Sequence, residues 1–111
     1  MDFEFTELQR NVRAMIKDFV EREVRPIAME YEHEDRYPMP VVKKMKELGI
    51  FGFTIPEKYG GSGMDEVCYA IAMEELSVGW MSVAGILGTH MMTAWMLLHY
   101  GTEEQKDAYL P

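Results

Sequence analysis

Val78-Gly79-Trp80-Met81-Ser82-Val83-Ala84-Gly85-Ile86-Leu87-Gly88-Thr89-His90-Met91-Met92-Thr93-Ala94-Trp95-Met96-Leu97-Leu98-His99-Tyr100 contains no Asp, Glu, Lys or Arg. It runs directly into Gly101-Thr102-Glu103-Glu104-Gln105-Lys106-Asp107-Ala108-Tyr109-Leu110-Pro111. A helix-length segment without charge has no solvated face, so it is expected to be buried on nearly all sides. The segment after it opens with Thr102-x-x-Gln105, in which the hydroxyl caps an amide three residues on and the glutamine reaches back to the cap. The junction therefore predicts a buried central helix followed by a short outer one.

Upstream, Leu8, Val12, Met15, Ile16, Phe19, Val20, Val24, Ile27, Ala28 and Tyr31 recur at three- and four-residue steps, the period of a long amphipathic helix. Thr6 and Gln9 form its capping box. Pro26 falls inside this pattern, where it removes one backbone hydrogen bond and presses on the preceding turn, so a kink is expected around Arg22–Pro26 without a stop. The polar run Glu32 to Arg36 ends the helix. Pro38 or Pro40 starts the second, with Val42, Met45 and Leu48 inward and Gly49 as a left-handed cap. Ile50 to Pro56 reads as an extended, buried connector and Tyr59 to Gly63 as a turn. A third helix is expected from Asp65 to Ser77, with Val67, Ile71 and Leu76 inward, a fourth from Ser82 to Tyr100, and a fifth after Thr102. The predicted fold class is all-α, a bundle of about five helices with an extended connector between the second and third.

Composition narrows the function. A chain of 111 residues, 48% of them hydrophobic, is one domain with a single core and is not disordered. Its net charge of −8 argues against nucleic acid and anionic membrane surfaces as partners, since both are held by clustered Lys and Arg. A lone Cys68 excludes an internal disulfide and fits a reducing compartment. Met1-Asp2-Phe3-Glu4 lacks the basic segment and apolar run of a secretory signal, and is too acidic for a transit peptide. Cytoplasmic residence is the expectation. The uncharged segment approaches the roughly 20 apolar residues of a membrane span, but Ser82, Thr89, His90 and Thr93 interrupt it and its flanks carry no basic anchors. A soluble central helix is favoured, with no membrane span. The eleven methionines either fill gaps in a pliable core or line a surface that repacks around ligands, the first being the simpler reading.

Several residues invite a sharper reading. Gly85 and Gly88 each weaken a helix by about 1 kcal/mol relative to Ala, so close helix packing or a ligand must require the missing side chains. Gly60-Gly61-Ser62-Gly63 ahead of a helix could cradle an anion, yet neither a Gly-Lys-Ser/Thr ending nor dinucleotide spacing is present, and a turn needing positive φ is favoured. Glu30-Tyr31-Glu32-His33 has the Glu-x-x-His spacing of di-iron bundles, but no second such motif lies near His90 or His99, so a solvated acidic surface is expected and no metal. His90 is either a core histidine or, beside Thr89, faces a polar spot in a pocket. Glu74 and Glu75 point about 100° apart, so one is expected to pair with a basic residue of the first two helices. Cys68, with no His or basic neighbour in sequence, reads as a structural thiol.

Several blocks occur in fixed order: Phe5-Thr6-Glu7, Arg25-Pro26-Ile27-Ala28, Glu47-Leu48-Gly49-Ile50-Phe51-Gly52, Ile55-Pro56-Glu57-Lys58-Tyr59-Gly60-Gly61-Ser62-Gly63, Glu74-Glu75-Leu76, and Gly101-Thr102-Glu103-Glu104-Gln105-Lys106 followed by Tyr109-Leu110-Pro111. Together they resemble the amino-terminal helical domain of acyl-CoA dehydrogenases, flavoproteins that oxidise the α,β bond of acyl thioesters. The resemblance covers essentially the whole chain. It implies that residues 1–111 are this domain, and that a middle β-domain and a carboxy-terminal helical domain, which hold FAD and the catalytic carboxylate, are absent from it.

For an intact relative the resemblance implies an oxidoreductase of fatty-acid or related acyl-CoA metabolism. FAD would be its cofactor, acyl-CoA its substrate, electron-transfer flavoprotein its redox partner and a homo-oligomer its assembly. A glutamate takes the α-proton and the β-hydride passes to flavin N5; no residue here is expected to perform those steps, so the 111-residue chain alone is expected to bind no FAD and to be inactive. Its part would be subunit packing and one wall of the acyl pocket, where Ala84, Gly85, Gly88, Thr89 and Met92 match lining positions. A stand-alone helical protein-interaction module without catalysis is the alternative, and a metal-binding bundle a third class that would need inward carboxylates.

Overall fold

The computed structural model describes residues 1–111. Its helices are α1 (Glu7–Phe19), α2 (Arg25–His33), α3 (Met39–Glu47), α4 (Glu66–Tyr100) and α5 (Glu103–Tyr109), with no strand. A π turn over Val20–Val24 makes α1 and α2 one run, leaving four continuous helical stretches where about five were predicted. The difference lies in α4, which joins the expected third and fourth helices through Trp80. That residue alone leaves the helical path, at φ −165° and ψ 105°. A straight helix of 35 residues would run about 52 Å, beyond the molecule's longest dimension of 42 Å. The chain instead folds back at Trp80, and a Cβ placed on Gly88 of the second arm would lie 3.3 Å from Met73 Cε of the first.

Side-chain caps start α1, α4 and α5. Thr6 Oγ1 accepts the Gln9 N–H at 3.2 Å and Gln9 Oε1 accepts the Thr6 N–H at 2.9 Å, the capping box the sequence predicts. Gln9 is the one buried polar residue, 7% exposed, and its Nε2 donates to Asp65 Oδ2 at 3.0 Å. Asp65 Oδ1 accepts the Cys68 N–H at 2.8 Å and so caps α4. One amide side chain thus ties two helix starts together. The Cys68 amide, then the Gln9 side chain, hold the Asp65 carboxyl below the usual carboxylate value, while burial pushes the Cys68 thiol up. That burial fits the structural thiol the sequence suggests. A turn further on, Arg13 reaches both Glu75 at 2.7 Å and Glu74 at 3.2 Å, so a single guanidinium gathers two carboxylates where one pairing was expected.

The kink expected near Pro26 takes the form of the π turn, closed by the Arg25 N–H reaching back to Val20 O. Pro26 brings no N–H of its own, so the ladder resumes one residue out of register. Opposite this widened turn lies Gly79, where any Cβ would collide with Val20 Cγ1. Close helix packing on glycine therefore occurs at Gly79, where the first arm of α4 crosses the run of α1. The core lies between them, from Val12, Ile16, Phe19 and Val24 to Ile71, Leu76, Val83 and Leu87, with Val41 and Met45 of α3 closing one end.

Two expectations need correction here. Val67 is 42% exposed, its inward place taken by Cys68. The connector is buried but not extended: Ile50–Gly52 and Glu57–Tyr59 are 3₁₀ turns. Ile50 and Phe53, both buried, stand three apart, the period of a 3₁₀ helix, and short-range bonds such as Gly52 N–H to Gly49 O at 3.1 Å hold the coil. Gly49 caps α3 at φ +75°, as predicted.

Replacing Gln9 by Ala removes one member of the capping box and the bond to Asp65, which should lower unfolding stability by about 1–2 kcal/mol. Urea unfolding followed by circular dichroism measures this. An unchanged midpoint would show that the tie between the two helix starts carries no stability.

Candidate functional site

The second arm of α4 is held along one stripe only: Trp80, Val83, Ala84, Leu87 and Met91 are buried. Its opposite face is open, with Met81 75%, Met92 63% and Tyr100 78% exposed. The expectation of burial on nearly all sides is thus corrected. An uncharged helix also results when one face is left for something beyond this chain. By length and composition α4 is apolar enough to cross a membrane, and 22% of its apolar window is buried within the molecule. Three polar side chains of this arm turn back onto its own backbone: Thr89 Oγ1 donates to Gly85 O at 2.8 Å and Thr93 Oγ1 to Thr89 O at 3.2 Å, while His99 Nδ1 lies 2.9 Å from Trp95 O. What remains on the open face is methyl, thioether and aromatic surface.

The five expected lining residues divide. Gly85 and Thr89, with Ser82 between them and the elbow, line a cleft of about 790 Å³ whose far wall is Tyr37, Met39 and Phe51. A Cβ on Gly85 would meet nothing within 4 Å, so its missing side chain leaves open space and serves no helix packing. Gly88 leans toward Met73 and Tyr69. Met92 belongs to a second cleft, of about 340 Å³, with Tyr69, Trp95 and Met96. Ala84 is 2% exposed and part of the core, so it lines neither cleft. On a helix of 3.6 residues per turn, positions 85, 88, 89 and 92 share one face and position 84 lies at its edge, turned to the body.

Glu32 and Ser82 escaped the sequence reading. Glu32 Oε1 accepts both the Trp80 indole N–H and the Ser82 hydroxyl, each at 2.6 Å. The Ser82 bond, then the Trp80 bond, hold its carboxyl below the usual value. Glu32 is therefore engaged at the elbow of α4 and is more than a solvated member of an acidic patch. Tyr31 packs edge-on against Trp80 at 6.4 Å between ring centres. Separations of 48 and 50 residues left no local signal for these contacts.

His90 is not a core residue: it stands at the rim shared by the Gly85 cleft and a third hollow of about 690 Å³ that Ser62 and Tyr59 also border. Its ring meets Phe51 edge-on at 4.8 Å. That local burial, then the Lys46 charge, lowers its pKa below the ordinary imidazole value.

The glycine turn offers no anion cradle. Gly60 and Gly63 take positive φ, as predicted, and the amides of Gly60, Gly61, Ser62, Gly63 and Met64 donate to the carbonyls of Glu57, Pro56, Gly52, Ile55 and Phe53 at 2.7–3.2 Å. With every amide engaged, this turn does not fit a flavin phosphate.

The acyl-CoA dehydrogenase amino-terminal domain family matches residues 6–111. The chain belongs to the acyl-CoA dehydrogenase family. It is 44% identical over 111 residues to the short-chain specific acyl-CoA dehydrogenase of Clostridium acetobutylicum, covering 99% of this chain and 29% of that one. Among solved structures, butyryl-CoA dehydrogenase from Megasphaera elsdenii superposes with a TM-score of 0.93 at 34% identity, over 99% of this chain and 30% of that one. A glutaryl-coenzyme A dehydrogenase in complex with glutaryl-CoA superposes with a TM-score of 0.94 at 33% identity, over 100% and 29%. The chain thus spans less than a third of the length of these relatives.

In this acyl-CoA dehydrogenase domain the depressed pKa of His90 has a defined consequence. Below the ordinary imidazole value the unfolded chain takes up the proton first, so stability contributed by neutral His90 is present above about pH 6.5 and is lost as pH falls through the lowered folded value. The melting temperature should therefore drop less between pH 7 and pH 5.5 in His90→Gln than in the parent. Parallel drops in both proteins would contradict this.

Proposed function

We propose that the chain serves as the amino-terminal domain of an FAD-dependent acyl-CoA dehydrogenase that carries out α,β-dehydrogenation of acyl-CoA thioesters, and that the open face of its second α4 arm forms a wall of the acyl pocket. The observation that carries this reading is the open space at Gly85, where a Cβ would meet nothing within 4 Å, on a face whose threonine hydroxyls are already satisfied. An acyl tail is apolar and flexible; it needs room, exclusion of water and no competing donor. Gly85 and Gly88 supply room, the Thr89 methyl and Met92 supply apolar contact, and Met92 can repack around tails of different length. FAD, held by other parts of such an enzyme, supplies the hydride acceptor. The residues of this chain bind and orient the tail and exclude water.

The same reading makes acyl-CoA and electron-transfer flavoprotein the partners and a homo-oligomer the assembly; the cytoplasm is the compartment proposed on the lone Cys68, which fits a reducing environment. A helical interaction module would expose a similar apolar face, but it has no need of a glycine at position 85, where a side chain would pack on nothing, whereas Gly88 packs toward Met73. Gly85 costs helix stability of about 1 kcal/mol relative to Ala, and an acyl tail gives that cost a purpose.

The two glycines separate pocket from packing. In a flavoenzyme built by placing residues 1–111 into the 44% identical Clostridium acetobutylicum enzyme, Gly85→Leu should not lower the melting temperature, since it restores helix propensity without a clash, and should shift preference toward short chains. Denying burial to three or four methylenes costs roughly 2–3 kcal/mol, so kcat/KM for octanoyl-CoA should fall by about two orders of magnitude relative to butyryl-CoA. Gly88→Leu should narrow the pocket and also press on Met73, lowering stability by about 1–3 kcal/mol. Equal losses on both substrates for Gly85→Leu would contradict the assignment.

A further inference from the structure

The second arm of α4 is joined to the first through one residue of extended backbone, Trp80. Such a joint leaves the direction of the arm to whatever grips its first turn. The buried stripe of Val83, Leu87 and Met91 holds the arm against the body along one line. At the elbow the first turn of the arm has a polar side-chain grip. There, a single oxygen of Glu32 accepts from residue 80 and from residue 82, each at 2.6 Å, on either side of Met81. Two anchor points fix a direction, where one would fix only a position. The carboxylate also sits at the amino end of the arm, where the unpaired amides of a helix favour negative charge.

Both gripped residues bear on the candidate site. Ser82 lines the same cleft as Gly85 and Thr89, and the opposite wall, Tyr37 and Met39, follows directly from the end of the helix that carries Glu32. The bond from Glu32 to Ser82 therefore ties one wall of the cleft to the helix that leads into the other. We propose that Glu32 is a positioning residue, whose grip on Trp80 and Ser82 sets the direction of the arm and so the width of the cleft. This rests on the reading that the cleft takes the acyl tail, and it adds the residue that tunes the fit.

Both bonds end on one oxygen, so the conservative variant is informative: a glutamine carbonyl can accept both donors, and an alanine none. In the 111-residue chain, hydrogen exchange of the Gly85 to Gly88 amides should quicken by about tenfold in Glu32→Ala, as expected for the loss of one or two hydrogen bonds. Glu32→Gln should return it most of the way, and Ser82→Ala should fall between. In a background with Trp95→Phe, Trp80 emission should move to longer wavelength in Glu32→Ala only. Unchanged exchange and emission in Glu32→Ala would overturn the grip, as would a Glu32→Gln variant indistinguishable from Glu32→Ala.

The flavoenzyme carrying residues 1–111 supplies the second readout. With the grip lost, the ratio of kcat/KM between octanoyl-CoA and butyryl-CoA should change by about fivefold or more, from KM more than from kcat, and Glu32→Gln should restore it. A loosened arm with an unchanged ratio would overturn the positioning role. If the parent flavoenzyme has no activity, the acyl-pocket reading fails and the cleft-width claim with it, while the grip is still decided by exchange in the isolated chain.

Discussion

A single residue of extended backbone divides a helix that would otherwise project beyond the rest of the molecule. At Trp80 the chain reverses, and the reversal converts one long apolar helix into two arms that share a core. The close approach of Gly79 to the widened turn at Val20 brings the first arm down onto α1. The second arm then presses one stripe inward and leaves its other face open. Arg13 holds the first arm through Glu74 and Glu75, Gln9 and Asp65 hold its start, and Glu32 holds the elbow. Remove the reversal and Glu32 loses its hold on Ser82, while Val83, Leu87 and Met91 lose their place in the core.

The charge distribution follows from the same arrangement. All 30 charged residues, 19 acidic and 11 basic, lie outside the stretch from Val78 to Tyr100. A solvated helix would carry charge on its outer face, and a wholly buried one would have neighbours all round. This arm has neither, and its two threonine hydroxyls are satisfied on its own backbone. A largely apolar face with a gap at Gly85 offers room for an alkyl chain, with Lys46 and His90 also lining the cleft. The family assignment, reached through the whole length of the chain, is consistent with that chemistry.

Features encoded within a few residues were legible in the sequence. The Thr6 and Thr102 boxes, the Gly49 cap and the positive-φ turn at Gly60 and Gly63 each depend on neighbours three or four positions away. Pro26 announced a distortion, though not that it would be a π turn. The connector misled because Ile50-Phe51-Gly52-Phe53 satisfies both an extended and a 3₁₀ reading, and only packing decides between them. Val67 misled for a similar reason, since Cys68 beside it is the better-placed small apolar residue. The fourth helix misled in an instructive way: absence of charge reports desolvation, and sequence does not say whether the covering surface belongs to the same chain. Of the five lining residues, four share the open face and Ala84 does not, a distinction of one step on the helical wheel. Glu32, Ser82 and Trp80 meet across 48 and 50 residues, so nothing local announced them.

Photo-crosslinking tests most directly whether the open face of the second α4 arm meets the acyl tail. An acyl-CoA bearing a diazirine at its terminal carbon, bound to the flavoenzyme that carries residues 1–111 and irradiated, labels whatever lies beside the tail. Peptide mapping should find the adducts on Gly85 to Met92, concentrated at Thr89 and Met92. Adducts confined to other parts of the enzyme, with this stretch unlabelled, would contradict the account.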